Sequence, residues 1–171
     1  MTESQSRQTD HTAHGEHPAA HAVPAEYLLG IDHVGVAVSD FDAALEWYAR
    51  VLGMVCTHEE INEAQGVREG MLSPASLLAA EGAPSSAAQL QVLAPLTPES
   101  TIAKFLDRNG PGMQQLAYRV SDLEAVTAHL REQGVRLLYD APRSGTAGSR
   151  INFLHPKDAG GILVELVEPA S

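Results

Sequence analysis

From residue 28 the chain alternates apolar and polar or small positions in the manner of a strand. Val34, Val36 and Val38 take one face; His33, Gly35 and Ala37 take the other. Ser39 or Asp40 then caps a predicted helix. Its stripe of Phe41, Ala44, Leu45, Tyr48, Val51 and Leu52 keeps helical spacing up to Gly53. Shorter strands are predicted around 54–58, 66–72 and 88–93, with loop composition over 73–87. A connecting helix is predicted from 98 to 106, closed by Asn109-Gly110. The pattern then restarts. A strand over 113–120 precedes Ser121 or Asp122 as a cap, and Leu123, Val126 and Leu130 form a helix stripe ended by Gly134. Strands follow around 135–139, 150–154 and 161–167.

The restart is a repeat. IDHVGVAVSDFDA (31–43) and MQQLAYRVSDLEA (113–125) align without a gap at an offset of 82. LQVLAP (90–95) aligns with VELVEP (164–169) at an offset of 74, so the second copy is eight residues shorter between these points. Each half therefore reads strand–helix–strand–strand–strand, over about 29–95 and 111–169. The fold class expected is α+β, with one domain over 27–171. Residues 1–26 are polar and read as a disordered tail. The tail's His11, His14, His17 and His21 lack a scaffold to fix metal geometry.

The two offsets pick out four mid-strand polar residues: His33 and Gln91 in one half, Gln115 and Glu165 in the other. Singly, each reads as an ordinary hydrogen-bonded or exposed side chain. Jointly, one imidazole, one carboxylate and two carboxamide oxygens form a donor set for a divalent cation. Gly35, Ala37 and Ala117 on the same faces leave room for it.

Charge narrows the partners. Twenty-two acidic against 11 basic residues give a formal net charge of -11, which argues against nucleic acid or a membrane surface as partner. The basic residues concentrate in the second half, so the acidic balance does not exclude a small anion held by a local basic patch. Cys56 is the single cysteine, which fits a reducing, cytoplasmic setting. No apolar run is long enough to span a bilayer.

The segments IDHVGVAVSD, EAQGVREGML, LQVLAPL, STIAKFLDRNGPG, GVRLLYD and SRINFLHPKDAGGILVELVEP resemble the methylmalonyl-CoA epimerase family. That family lies within the vicinal-oxygen-chelate superfamily, beside glyoxalase I, extradiol dioxygenases and bleomycin-resistance proteins. The resemblance covers residues 29–169. It implies two pseudo-symmetric βαβββ modules forming a cupped mixed β-sheet around a metal site, with His33, Gln91, Gln115 and Glu165 as ligands. At the fourth ligand position the family has a His-His pair, whereas this chain has Gln114-Gln115. Losing an imidazole favours harder ions such as Mn2+ over Zn2+; the family itself is described with Co2+.

The resemblance further implies epimerisation of methylmalonyl-CoA through an enolate, with Glu69 and Glu165 as the two bases. Glu69 shares a strand face with Val67 and Met71, an apolar setting that raises a carboxyl pKa. Arg143, Arg150 and Lys157 are candidates for the CoA phosphates, and a homodimer is expected. Two rivals stay open: a glyoxalase-type isomerase of a thiol adduct, and a metal-free protein that binds a small molecule such as a drug.

Overall fold

A computed structural model of the chain describes residues 23–79 and 87–170. The tail histidines and residues 80–86 lie outside the described residues.

Twelve elements follow in order: β1 (Leu28–Ala37), α1 (Phe41–Leu52), β2 (Met54–Asn62), β3 (Val67–Pro74), α2 (Ala75–Ala79), β4 (Gln89–Pro95), α3 (Thr101–Asn109), β5 (Gly112–Val120), α4 (Leu123–Glu132), β6 (Arg143–Ser144), β7 (Arg150–Leu154) and β8 (Leu163–Glu168). All eight strands join in one mixed, curled sheet of order β2-β3-β4-β1-β5-β8-β7-β6. Within each half the first and last strands run parallel, β1 with β4 and β5 with β8. The halves meet where β1 pairs antiparallel with β5.

The repeated Ser-Asp does the same work twice. Asp40 accepts from the Ala43 N–H at 3.0 Å and Asp122 from the Ala125 N–H at 2.9 Å, each capping a helix start, a contact of about 1 kcal/mol. On the outer face of the sheet, α1 packs Phe41, Ala44, Leu45 and Tyr48 on Leu72 and Val92. There too, α4 packs Leu123 and Val126 on Val120 and Leu166. Val51 and Leu52, expected in the α1 stripe, are exposed. On the inner face, Ile102 of α3 joins Ala37, Val67 and Leu93. Ala117, Ile151, Phe153 and Val167 form the matching cluster of the second half.

Two segments differ from the sequence expectation. Within the stretch of loop composition, Ala75–Ala79 forms a single helical turn. The strand expected over 135–139 reduces to an isolated bridge between Leu137 and Leu154. Asn152 takes over beyond that bridge. Fully buried, it offers its side-chain oxygen to the Tyr139 N–H at 3.2 Å and donates its amide to the Tyr139 carbonyl at 3.0 Å. A side chain thus holds the Tyr139 backbone just beyond the bridge.

Candidate active site

The four residues singled out by the repeat stand on four consecutive central strands: Gln91 on β4, His33 on β1, Gln115 on β5 and Glu165 on β8. Register explains how they meet. Gly35 is the cross-strand partner of both Gln91 and Gln115, and Ala117 is the partner of both His33 and Glu165. Small residues therefore alternate with donors across the cup floor. A Cβ on Gly35 would stand 2.5 Å from Cγ of Gln115, so the fourth side chain needs a glycine beneath it.

Gln115 Nε2 donates to Glu165 Oε2 at 2.6 Å and to Gln91 Oε1 at 3.2 Å, and lies 3.3 Å from His33 Nε2. His33 Nε2 stands 3.1 Å from Glu165 Oε2. All four side chains are buried.

Two β-bulges aim them. Between Ile31 and His33 the register against β5 slips by one, leaving Asp32 as the extra residue; between Gly35 and Val36 it slips again, leaving Gln114. Asp32 and Gln114 are equivalent in the repeat. Asp32 Oδ1 accepts from His33 Nδ1 at 2.9 Å, and its Oδ2 accepts from Arg119 Nε at 2.7 Å. Burial works to raise the Asp32 pKa, but these hydrogen bonds prevail and hold it below the usual range. Burial likewise works to lower the His33 pKa; bonds to Asp32 and Glu165 outweigh it and push it up to about 9.

Glu69, on β3, borders the cluster. Its Oε2 accepts from Gln91 Nε2 at 3.2 Å and its Oε1 from the Thr146 hydroxyl at 3.0 Å. It is buried between Val67 and Met71, as the strand pattern implied. Burial is the main force raising its pKa to about 7. The Thr146 bond opposes the rise, and Glu60, its cross-strand neighbour, adds to it through a shared hydrogen bond. Glu60 is in turn held by His58 Nε2 at 2.5 Å and by the Ala147 N–H at 3.1 Å. Thr146 and Ala147 belong to a loop of the second half that folds back over the first. Ala147 adopts φ 55° there, the one non-glycine residue with positive φ among those described.

Glu69, Gln91, Gln114, Gln115 and Thr146 form the polar side of a cavity of about 120 Å³, whose other lining includes the apolar Leu93, Ile102 and Phe153. It continues outward past Tyr139 into a hollow edged by Arg143, whose guanidinium lies 4.3 Å over the Tyr139 ring. His33 and Asp32 face a second hollow on the other side of the cluster.

Of the cations proposed for phosphate, the structure therefore brings only Arg143 to the cavity mouth. Arg150 sits instead between Glu124 and Glu168, with Nη1 2.9 Å from Glu124 Oε2. Lys157 is exposed, and neither residue lines the cavity or the hollows beside it. Asp122, Glu124 and Glu168 form an acidic group at the start of α4, but Arg150 already compensates it.

The donor set suits a divalent ion. Neighbouring donors on an octahedral ion at about 2.1 Å lie about 3 Å apart, close to the 3.1 Å between His33 and Glu165. The carboxylate behind His33 is the usual outer support of a metal-bound imidazole, fixing Nε2 toward the site. A half-turn of the Gln115 carboxamide presents its oxygen where its nitrogen now stands.

Sequence reasoning missed Asp32, Glu60, His58 and Thr146. Only Asp32 had a signal, since Asp-His aligns with Gln-Gln across the repeat.

The family model of the glyoxalase/bleomycin resistance protein/dioxygenase superfamily matches residues 32–153. The chain belongs to this superfamily. Among its relatives in this superfamily is the ethylmalonyl-CoA/methylmalonyl-CoA epimerase of Cereibacter sphaeroides, 33% identical over 138 residues, covering 80% of this chain and 95% of that one. The crystal structure of methylmalonyl-CoA epimerase from Mycobacterium tuberculosis is 58% identical, with a TM-score of 0.77, over 88% of this chain and 95% of that one. A methylmalonyl-CoA epimerase solved with methylmalonyl-CoA and NH4+ is 44% identical, with a TM-score of 0.77, over 84% and 96%.

Proposed function

We propose that this protein epimerises methylmalonyl-CoA, with Glu69 and Glu165 as the two bases and His33, Gln91, Gln115 and Glu165 as ligands of a divalent metal ion. The observation that carries the reading is Glu69: a buried carboxyl with its pKa raised to about 7, in contact with ligand Gln91 and facing a cavity. The epimerases to which the chain is similar supply the substrate.

The α-carbon of the substrate lies between a thioester and a carboxylate. One base breaks the C–H bond and takes the proton, and the electron pair moves into the thioester carbonyl to give a planar enolate. The other carboxyl then delivers a proton to the opposite face. A bound divalent ion supplies Lewis-acid stabilisation of the enolate oxygen. A carboxyl pKa near 7 matches a group that must both take and give a proton at neutral pH. Thr146 fixes which oxygen of Glu69 faces the substrate. Arg143 at the mouth is the best-placed cation for the CoA phosphates.

The reading includes Co2+ as the metal, with Mn2+ or Zn2+ as alternatives, a cytoplasmic setting and a homodimer. No helix among the described residues is long and apolar enough to cross a membrane.

The test follows α-proton exchange of methylmalonyl-CoA in D2O before and after chelation, with metal assayed on the same sample. Replacing the tail histidines (His11→Ser, His14→Ser, His17→Ser, His21→Ser) keeps them out of the count. Exchange lost on chelation and restored by Co2+ or Mn2+ is expected. No exchange and no bound metal in any preparation would sink the reading in favour of a metal-free binding protein.

A further inference from the structure

We propose that Gln114 is a specificity-determining residue: its side-chain oxygen accepts a hydrogen bond from the amide N–H nearest the sulfur on the thioester arm of the substrate. The inference rests on the acyl-thioester reading above.

The bulge in β5 is the first support. In a regular strand Gln114 would point away from the cup when Gln115 points in. As the extra residue of a bulge it lines the same cavity as its neighbour. Second, the oxygen is idle. Gln114 Oε1 is buried and has no hydrogen-bond partner among the described residues. On the same cavity wall, Gln91 bonds to Glu69, Thr146 and Gln115, and Thr146 bonds to Glu69. A buried acceptor without a partner is costly, so its place on a cavity wall points to a ligand that donates.

Third, the repeat removes a structural job. Asp32, the equivalent bulge residue, steadies its neighbour His33, whereas Gln114 makes no such bond to Gln115. The chemistry of the ligand then selects the donor. The acyl carboxylate, the thioester carbonyl and the phosphates only accept. The amide N–H two carbons beyond the sulfur is the donor nearest the reacting carbon.

The test compares binding of two unreactive thioether analogues of the acyl thioester. One carries an N-acetylcysteamine arm, and the other a butyl arm without the amide. Wild-type protein should prefer the amide-bearing analogue by about tenfold, the scale of one hydrogen bond to a buried group. Gln114→Leu should lose that preference while binding the butyl analogue as before, which also shows that the cavity is intact. Gln114→Glu keeps an acceptor and should keep the preference.

Preference absent in wild type, or persisting in Gln114→Leu, overturns the assignment. So does a Gln114→Glu protein that binds both analogues worse than Gln114→Leu, because that pattern makes Gln114 a donor to the acyl carboxylate. Binding is read without turnover. A protein that shows the preference but exchanges no α-proton fails as an epimerase and keeps this inference; the opposite result separates them the other way.

Discussion

His33 Nε2 and Glu165 Oε2 stand 3.1 Å apart although they come from different halves of the repeat, joined through β1, β5 and β8. The proximity of this carboxylate, with Asp32 behind the ring, holds a proton on His33 up to about pH 9. A metal must displace that proton. Affinity for Mn2+ or Co2+ should therefore climb about tenfold per pH unit below that value and level off above it. Calorimetric titration at three pH values checks the slope. A flat profile would mean the imidazole is not a ligand.

Asp32→Asn removes the carboxylate that orients the ring. Metal affinity should fall roughly 10- to 100-fold. Equilibrium dialysis against Mn2+, with circular dichroism as a control for folding, gives the answer.

Glu69→Gln keeps the shape and the amide-compatible contacts of the side chain but cannot take a proton. Exchange of the α-proton should drop by roughly 100- to 10,000-fold, with metal and thioester binding retained. Unchanged exchange in this variant would remove Glu69 from the mechanism.

The proposed two-base mechanism needs one ionised carboxylate and one protonated carboxyl, so it makes kcat/KM bell-shaped in pH, in both directions of epimerisation. Glu60 helps raise the Glu69 pKa, whereas the Thr146 hydroxyl lowers it. Glu60→Gln should thus let Glu69 ionise at lower pH and move the bell downward. Thr146→Ala should move it upward. Rate profiles of the two variants shifting the same way would contradict the assigned contacts.

Gly35→Ala places a methyl group where only 2.5 Å separates it from Gln115 Cγ. Gln115 must swing away, so metal affinity and turnover should both fall by more than an order of magnitude, the scale on which a displaced catalytic group costs rate. A crystal structure of the variant would show the displaced carboxamide directly.

How much of this was legible beforehand depends on what the residue pattern encodes. The repeat exposed the four donors because a polar residue interrupts an apolar strand at the same place four times. The strand-face argument placed Glu69 among Val67 and Met71, where it lies. Registers are not written in that pattern. The slips at Asp32 and Gln114 arise from pairing between β1 and β5, 82 residues apart, and neither residue advertises them. For the same reason Asn152 read as an ordinary strand residue. Its hold on Tyr139, at the end of the segment where a strand was expected over 135–139, is a tertiary contact. Arg150 was equally ambiguous, since only the fold reveals Glu124 and Glu168 beside it.

The alternation of Gly35 and Ala117 beneath donors drawn equally from the two halves has a practical consequence. Cutting the chain in the linker between β4 and α3 would leave His33 and Gln91 on one piece, Gln115 and Glu165 on the other. Neither piece would hold a complete set. The four would be reunited only when β1 docks against β5, so capture of an ion by the proposed ligands in mixed fragments would gauge reassembly.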